Sequence, residues 1–347
     1  MTKRIKILSI GLVTVFMASM ILLTAGCGSS TPPAAPAASA PAKKGEFVIK
    51  VASPSAPDDS CVMAYYKFKE LVEAKSNGRI DVQVFPNGQL GDQKNYIAQM
   101  QAGNIQAGEI STPLLSPLAS EFAVFDLPYI VKDMDHEIRV LQSGVGDKMN
   151  KSLEEKANLK IISWLVRSPR SVYSSKGAIN TADDFKGLKI RVMQSPIMVK
   201  TMELLGSQAV AISANERYMA LQSKVVDAAE NSVPLIVTQK EYEVTKFVSL
   251  TEHFVTPNVM AMDAKFFNKL PADLQKIVVD AGKEAGDYEV QVEKKQLSDA
   301  IATLESKGMK VNKIADKSSF VEKVKPIYAE YQDKIGKSTI DIFLNTK

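Results

Sequence analysis

Between Thr181 and Asn231 the hydrophobic pattern of the chain switches back and forth between two periods. Leu188, Ile190 and Val192 alternate with Lys189 and Arg191, the period of two expected of a strand with one covered face. Ser195 and Pro196 follow as an N-cap acceptor and a residue preset for the first helical turn, and Met198, Met202 and Leu205 then recur at helical spacing until Gly206 stops the run. A short apolar stretch, Gln208 to Ile212, reads as a second strand. Ser213 and Glu216, three apart, read as a capping box opening a second helix through Tyr218, Met219 and Leu221, and Val225 to Glu230 reads as a third strand ending at Asn231. Strand, helix, strand, helix, strand with short links predicts right-handed crossovers and a parallel sheet, in which ligands sit beyond the carboxyl ends of the strands. Those ends bring Arg191, Ser213 and Asn231 to one rim, a permanent cation and two hydrogen-bonding groups that suit a carboxylate. From spacing alone, Arg191 reads more readily as a surface residue or half of a structural salt bridge than as a ligand contact.

The same periods organise the rest of the chain. Phe47 to Ala52 and the alternating Ile80, Val82 and Val84 are strand candidates, separated by a helical face of Ala64, Tyr65, Phe68, Leu71 and Val72 that closes at Asn77 and Gly78. Ser111 and Thr112 fall where a further strand ends, as ligand-facing hydroxyls or as the N-cap of a helix starting at Pro113. Phe122, Phe125 and Tyr129 read as core packing. Lys160 to Val166, with the sole tryptophan Trp164, reads as a buried strand leading to Arg170. Pro271 opens a long helix through Leu274, Ile277, Val278, Ala281, Ala285 and Tyr288 whose charged residues read as its solvated face, and Gly308 ends the helical pattern. Met309 to Ile314 reads as a short strand, and Phe320 to Ile335 as a final helix interrupted at Pro326.

Composition adds compartment and size. The chain has 347 residues, enough for two lobes. Its formal charge of +4 includes Lys3, Arg4 and Lys6, whose removal leaves +1, so no basic field marks a nucleic-acid binder. The basic start, the apolar run Ile7 to Leu23 and the small residues Thr24, Ala25 and Gly26 before Cys27 look like a lipoprotein signal peptide, 1–26, with an uncleaved anchor or ordinary secretory signal as the other readings. Lipidated Cys27 would anchor the chain to a membrane, and 27–45, rich in proline, alanine and serine, would be its tether. With Cys27 acylated, Cys61 has no disulfide partner and reads as a small apolar residue on a helix face. Only His136 and His253 could act as imidazoles, each reading as a loop or capping residue. No G-x-S-x-G elbow, Walker-type loop or zinc spacing accompanies them, so an enzyme is not indicated and no metal or cofactor is expected.

The string FKGLKIRV, followed by QSP and then ERYMALQSKVVDAAEN, resembles the DctP-type substrate-binding proteins of tripartite ATP-independent periplasmic (TRAP) transporters. FPNGQLGDQKNYIAQMQAGNIQAG is similar to a family segment of the N-terminal lobe. The resemblance implies an α/β, two-lobed periplasmic-binding-protein-like fold of type II, with discontinuous lobes joined by hinge strands and a long bracing helix. Lobe I would be 46–167 plus 257–296 and lobe II 168–256 plus 297–347. It also implies that Arg191 anchors the substrate carboxylate, that Asn231 contacts substrate, and that Arg170, in WLVRSPRSVYSSKGAI, is a second substrate arginine, with Ser168 where the family has glycine. Ala214 stands where the family often places a bulky residue that stacks on ligand. The expected partners are a small organic acid anion and the TRAP membrane permease subunits, driven by an ion gradient without ATP. The expected location is the outer face of the cytoplasmic membrane. A solute receptor reporting to a sensor protein would use the same fold and ligand chemistry, and a purely structural surface lipoprotein is the third reading.

Overall fold

The computed structural model describes residues 44–347; the signal-like segment 1–26, Cys27 and all but the end of the tether lie outside the described residues. The strands are β1 (Phe47–Ala52), β2 (Ile80–Phe85), β3 (Ala107–Ser111), β4 (Leu159–Leu165), β5 (Arg170–Ser174), β6 (Lys189–Val192), β7 (Gln208–Ala211), β8 (Ala228–Ser232), β9 (Phe247–Phe254), β10 (Asn258–Asp263) and β11 (Lys310–Lys313). They form two sheets, a five-stranded one in the order β2-β1-β3-β10-β4 and a six-stranded one in the order β11-β9-β5-β8-β6-β7. The chain crosses from the first sheet to the second between β4 and β5 and returns between β9 and β10. A third link is the helix Ala272–Ser306, which packs on β4 and on the helix Ser60–Lys75 at one end and on β11 and the helix Val233–Thr238 at the other. Each sheet therefore gathers strands from separated parts of the sequence, giving the two-lobed α/β fold.

The parallel unit expected between Thr181 and Asn231 is present, with β6 parallel to both β7 and β8. The helix between β6 and β7 runs Pro196–Leu205, with the Ser195 side chain accepting from the Met198 amide and Gly206 closing it at φ 102°. Two local expectations shift. β8 begins at Ala228 rather than Val225, because Lys224 takes a left-handed φ of 59° and the Val226 amide is spent on the Ala220 carbonyl in a turn. Ser213 and Glu216 do not cap a helix reciprocally: the Ser213 hydroxyl donates to the Glu216 carboxylate at 2.6 Å, and the helix starts at Arg217. The second sheet as a whole is mixed, since β5 is antiparallel to β8 and β9.

The cores follow the two sheets. One cluster packs Tyr65, Phe68 and Val72 against Ile49, Val51 and Val82 and against Leu274, Val278, Ala281 and Ala285 of the long helix. Another joins Phe122 and Phe125 to Ile190, Val192, Met198 and Phe343, and a third covers the other face of the second sheet with Tyr173, Val248 and Leu304. Each large side chain so buried contributes about 1.5–3 kcal/mol. Phe343 belongs to a helix, Lys337–Asn345, beyond the one expected to be the last.

The long helix departs from its expected solvated charged face. Glu289 and Glu293, one turn apart, are fully buried and grip the β4–β5 crossing: Glu289 accepts from the Val166 amide at 3.0 Å, and Glu293 accepts from the Ser168 amide at 2.9 Å and its hydroxyl at 2.6 Å. The Ser60 hydroxyl lies 2.8 Å from both carboxylates. The reason lies in the backbone: a strand-to-strand crossing buried under a helix has amides that no ladder satisfies, and these side chains supply the acceptors. Among the described residues no helix is long and apolar enough to cross a membrane.

Candidate functional site

Four arginines converge where the carboxyl-terminal end of β6 meets the crossings between the sheets. Arg167, Arg170, Arg191 and Arg217 line one cavity with about 490 Å³ of empty volume, including the part open to solvent. Its walls come from both sheets. Ser55, Gln93, Glu109, Ser111 and Asn258 belong to the first, and Met193, Ala214, Asn231, Leu235 and Gln239 to the second.

Strand alternation places Arg191 opposite the buried Ile190 and Val192, on the face that a strand in contact with water would expose. Instead it is 1 % exposed. Its Nε donates to the Ile212 carbonyl at 2.8 Å, and its Nη1 is buried without a partner. Burial, with Arg217 nearby and only partly countered by Glu230, pulls its pKa down to about 9. A buried guanidinium with no carboxylate is a costly arrangement unless an anion joins it.

The other three guanidiniums are already paired. Arg170 holds Glu230 through Nε at 2.5 Å and Nη2 at 3.0 Å. Arg217 holds Glu241 at 2.5 Å, and the Tyr173 hydroxyl donates to the same carboxylate at 2.5 Å. Burial alone would lower the Arg217 pKa, but the Glu241 charge more than offsets it and holds the group above its ordinary value. Arg167 bridges Asp59 at 3.0 Å and Glu293 at 3.3 Å and donates to the Ser60 hydroxyl at 2.7 Å. Among the described residues, Arg191 is the cavity guanidinium without a carboxylate partner.

The residues singled out from sequence fall into three groups. Arg170, Arg191, Asn231 and Ser111 line the cavity together. Ser111 precedes the helix Thr112–Leu115 but its side chain makes no cap bond; its hydroxyl accepts from Gln93 Nε2 at 3.2 Å instead. Asn231 spends its Oδ1 on the Ser232 amide at 3.0 Å, which leaves its Nδ2 for the cavity. Ser213 lines an adjoining cavity that shares Arg191 and Met193. Thr112 is fully buried, its amide on the Pro257 carbonyl at 3.1 Å, and lines neither cavity. Sequence reasoning did not single out Glu109, Asn258, Gln93, Arg167 or Arg217 as site residues. Glu109 carried a signal: it is the charged residue in the otherwise small and apolar string Ala107 to Ile110.

Both histidines sit on regular elements, not in loops. His136 is on the helix Met134–Val140, with its ring accepting from the Lys132 amide at 3.1 Å and lying 3.1 Å from the Thr346 carbonyl. His253 is on β9, lies 2.7 Å from the Thr251 hydroxyl, and is pulled down to about 4 by burial, which keeps it neutral. Asp59, Cys61 and Glu109 bring potential metal-binding atoms within 4.8 Å of one another. Their oxygens already serve other partners: Asp59 caps the Cys61 amide at 3.0 Å and pairs with Arg167, and three of the acceptor positions of Glu109 take Ser53, Ser55 and Asn258. Burial pushes the Cys61 thiol well above its ordinary pKa, away from the thiolate a metal needs.

Comparison with known proteins gives a consistent result. Residues 51–334 match the family model for bacterial extracellular solute-binding proteins, family 7, the DctP family. The C4-dicarboxylate-binding periplasmic protein DctP of Rhodobacter capsulatus is 31% identical over 308 residues, covering 88% of this chain and 92% of that protein. A TRAP periplasmic solute-binding protein of Roseobacter denitrificans, solved with bound β-D-glucuronate, superposes with a TM-score of 0.84 at 29% identity, covering 87% of this chain and 100% of the other. One from Sulfurospirillum deleyianum with bound succinate superposes with a TM-score of 0.83 at 28% identity, covering 87% and 99%.

Proposed function

The chain belongs to the DctP family of TRAP-transporter solute-binding proteins, and from that premise we propose that it captures a small organic carboxylate on Arg191 and delivers it to an ion-gradient-driven TRAP permease. The observation that carries this reading is the buried guanidinium of Arg191 with an unpartnered Nη1 in a cavity whose other arginines are neutralised. A carboxylate is the planar acceptor that matches a guanidinium fork, and charge-assisted bonds of this kind are about twice as strong as neutral ones. Arg170, its charge offset by Glu230, and the free amide of Asn231 complete the pocket on the second sheet. The relatives' names point the same way: succinate, glucuronate and C4-dicarboxylate are all carboxylates.

In this reading the segments 46–167 and 257–296 form one lobe and 168–256 and 297–347 the other. The crossings at 166–169 and 255–257 act as hinges. Ligand favours the closed form because only there do both walls touch it. Cys27 carries the lipid that holds the chain at the outer face of the membrane. Mass spectrometry of the protein extracted from cell membranes would detect the acyl mass on Cys27, and an intact residue 1–26 segment would refute that anchor.

The test of the central claim is a thermal-shift screen of the chain from Gly28, freed of co-purified ligand by unfolding and refolding, against a panel of organic acids. Ligand at a hundredfold over its dissociation constant adds about 2.7 kcal/mol of stability, several degrees for a chain of this size. Binding of an acid by the native chain, lost in Arg191→Ala, is the expected result. An acid bound equally well by Arg191→Ala refutes the site, and no binding of any acid refutes the function.

A further inference from the structure

Glu109 lies in a part of the cavity where a carboxyl group is unexpected. β3 is buried at every residue from Ala107 to Ser111, and a carboxyl in such a strand is stable only when its oxygens are fully used. They are nearly so. Asn258 Nδ2 donates to Oε1 at 2.6 Å and the Ser55 hydroxyl to the same oxygen at 3.2 Å, while the Ser53 hydroxyl donates to Oε2 at 2.5 Å. A carboxylate accepts at about four positions, so three donors leave one on Oε2. Among the described residues no lysine, arginine or histidine nitrogen lies within salt-bridge distance of it, and Glu109 lines the cavity.

The charges available to a ligand differ between the two walls. On the second sheet Arg191 is free to take a carboxylate. On the first sheet the one cation, Arg167, is occupied by Asp59, Glu293 and Ser60, and what remains is Glu109 among the neutral Ser55, Gln93, Ser111 and Asn258. A second carboxylate carried to that wall would meet an acceptor-only group and no free cation. A hydroxyl carried there would supply the missing donor.

We propose that Glu109 sets the ligand class: it receives a hydroxyl at the end of the ligand remote from Arg191, so the substrate is a hydroxylated monocarboxylate and dicarboxylates are rejected. This rests on the reading that Arg191 takes the ligand's carboxylate. Three neutral donors directed at Glu109 fit its ionised, accepting form. Burial, reinforced by Asp59 and partly countered by Arg167 and the serine hydroxyls, raises its pKa to about 7. At a pH of about 8 the group is therefore mostly ionised and a hydroxyl is what it lacks.

The experiment compares a 2,3,4-trihydroxybutanoate with succinate, equal in carbon number, by calorimetry on ligand-stripped protein at a pH of about 8, in the wild type, Glu109→Gln and Arg191→Ala. The wild type should bind the hydroxylated acid at least about tenfold more tightly than succinate, the worth of one hydrogen bond to a charged group. Glu109→Gln, which exchanges one acceptor oxygen for a donating amide, should erase or reverse that preference. Succinate bound as tightly as the hydroxylated acid by the wild type, or an unchanged preference in folded Glu109→Gln, overturns the proposal. If in either case Arg191→Ala still abolishes binding, the Arg191 reading survives the failure. If neither acid binds the wild type, nor any other of the wider panel, the proposed function fails and this inference with it. Should Glu109→Gln not fold, the wild-type ranking of the two acids decides alone.

Discussion

Arg170 closes a two-armed ion pair on Glu230 of the neighbouring strand, with Nη2 reaching the Glu230 carbonyl as well, at 2.9 Å. Burial pushes the Glu230 carboxyl up, but the charge and hydrogen bonds of Arg170 outweigh it and hold the group below the usual carboxylate range. Of the four guanidiniums that line the cavity, Arg170 is thus neutralised and Arg191 is not. Glu230→Gln leaves Arg170 buried without its counter-charge, and the ligand-free protein should lose about 3–5 kcal/mol. A saturating carboxylate should recover part of that loss beyond its effect on the wild type, because it meets both guanidiniums. Denaturant titration with and without ligand measures both numbers; equal ligand effects in the two proteins would separate Arg170 from the ligand.

Arg191→Met should abolish carboxylate binding and at the same time leave the ligand-free protein as stable as the wild type or more so. The substitution keeps an apolar stem and removes a buried charge that has no partner. Binding should fall by about thirtyfold or more, the loss expected on removing one partner of a buried charge pair. A strongly destabilised variant would mean that Arg191 serves the fold and not a ligand.

Asp126 predicts a pH dependence with a definite sign. Ser195, the cap of the helix after β6, donates to its Oδ2 at 2.6 Å, while its Oδ1 is buried without a partner. Burial, only partly offset by the Ser195 bond and the charge of Arg170, raises its pKa from 3.8 to about 7. The fold therefore favours the protonated acid, and this contribution to stability is complete below 3.8 and is lost as pH rises through about 7. Asp126→Asn keeps an acceptor for Ser195 and removes the charge. It should be more stable than the wild type at a pH of about 8 and similar to it at about 4. Thermal unfolding across that range is the measurement, and parallel curves would show that Asp126 does not titrate there.

Gly282 predicts a packing limit on the long helix. A Cβ there would lie 2.2 Å from Ile162 Cγ2 and 2.9 Å from the Ile162 carbonyl oxygen. Alanine gains up to about 1 kcal/mol in helix propensity, but the carbonyl of β4 cannot turn away as a side chain can. Gly282→Ala should therefore lose about 1–3 kcal/mol in urea unfolding. A gain would mean that the helix and β4 are looser than this contact implies.

Much of the lobe carrying Arg191 was legible in the sequence because its signals are local. The cap Ser195 with Pro196, the stop at Gly206 and the alternation through Ile190 and Val192 depend on neighbours a few residues away, and the parallel unit β6, β7, β8 follows from the short links between them. The local signals failed where a distant group competed for the same atoms. Glu216 turned to the Ser213 hydroxyl and not to a helix amide, and Glu289 and Glu293 left the expected solvated face to satisfy the backbone of the β4–β5 crossing.

The periods, the caps and the family strings are written in the order of residues along the chain, and they bring Arg191, Arg170, Asn231 and Ser111 forward as candidates. Which arginine stays free depends on contacts between distant segments. Arg167 finds Asp59 and Glu293 at separations of 108 and 126 residues, Arg170 finds Glu230 at 60 and Arg217 finds Glu241 at 24. The tertiary fold likewise places Glu109, hidden in a strand of small and apolar residues, on the opposite wall. Ion pairing and desolvation depend on distance through space, and spacing along the chain carries little of it.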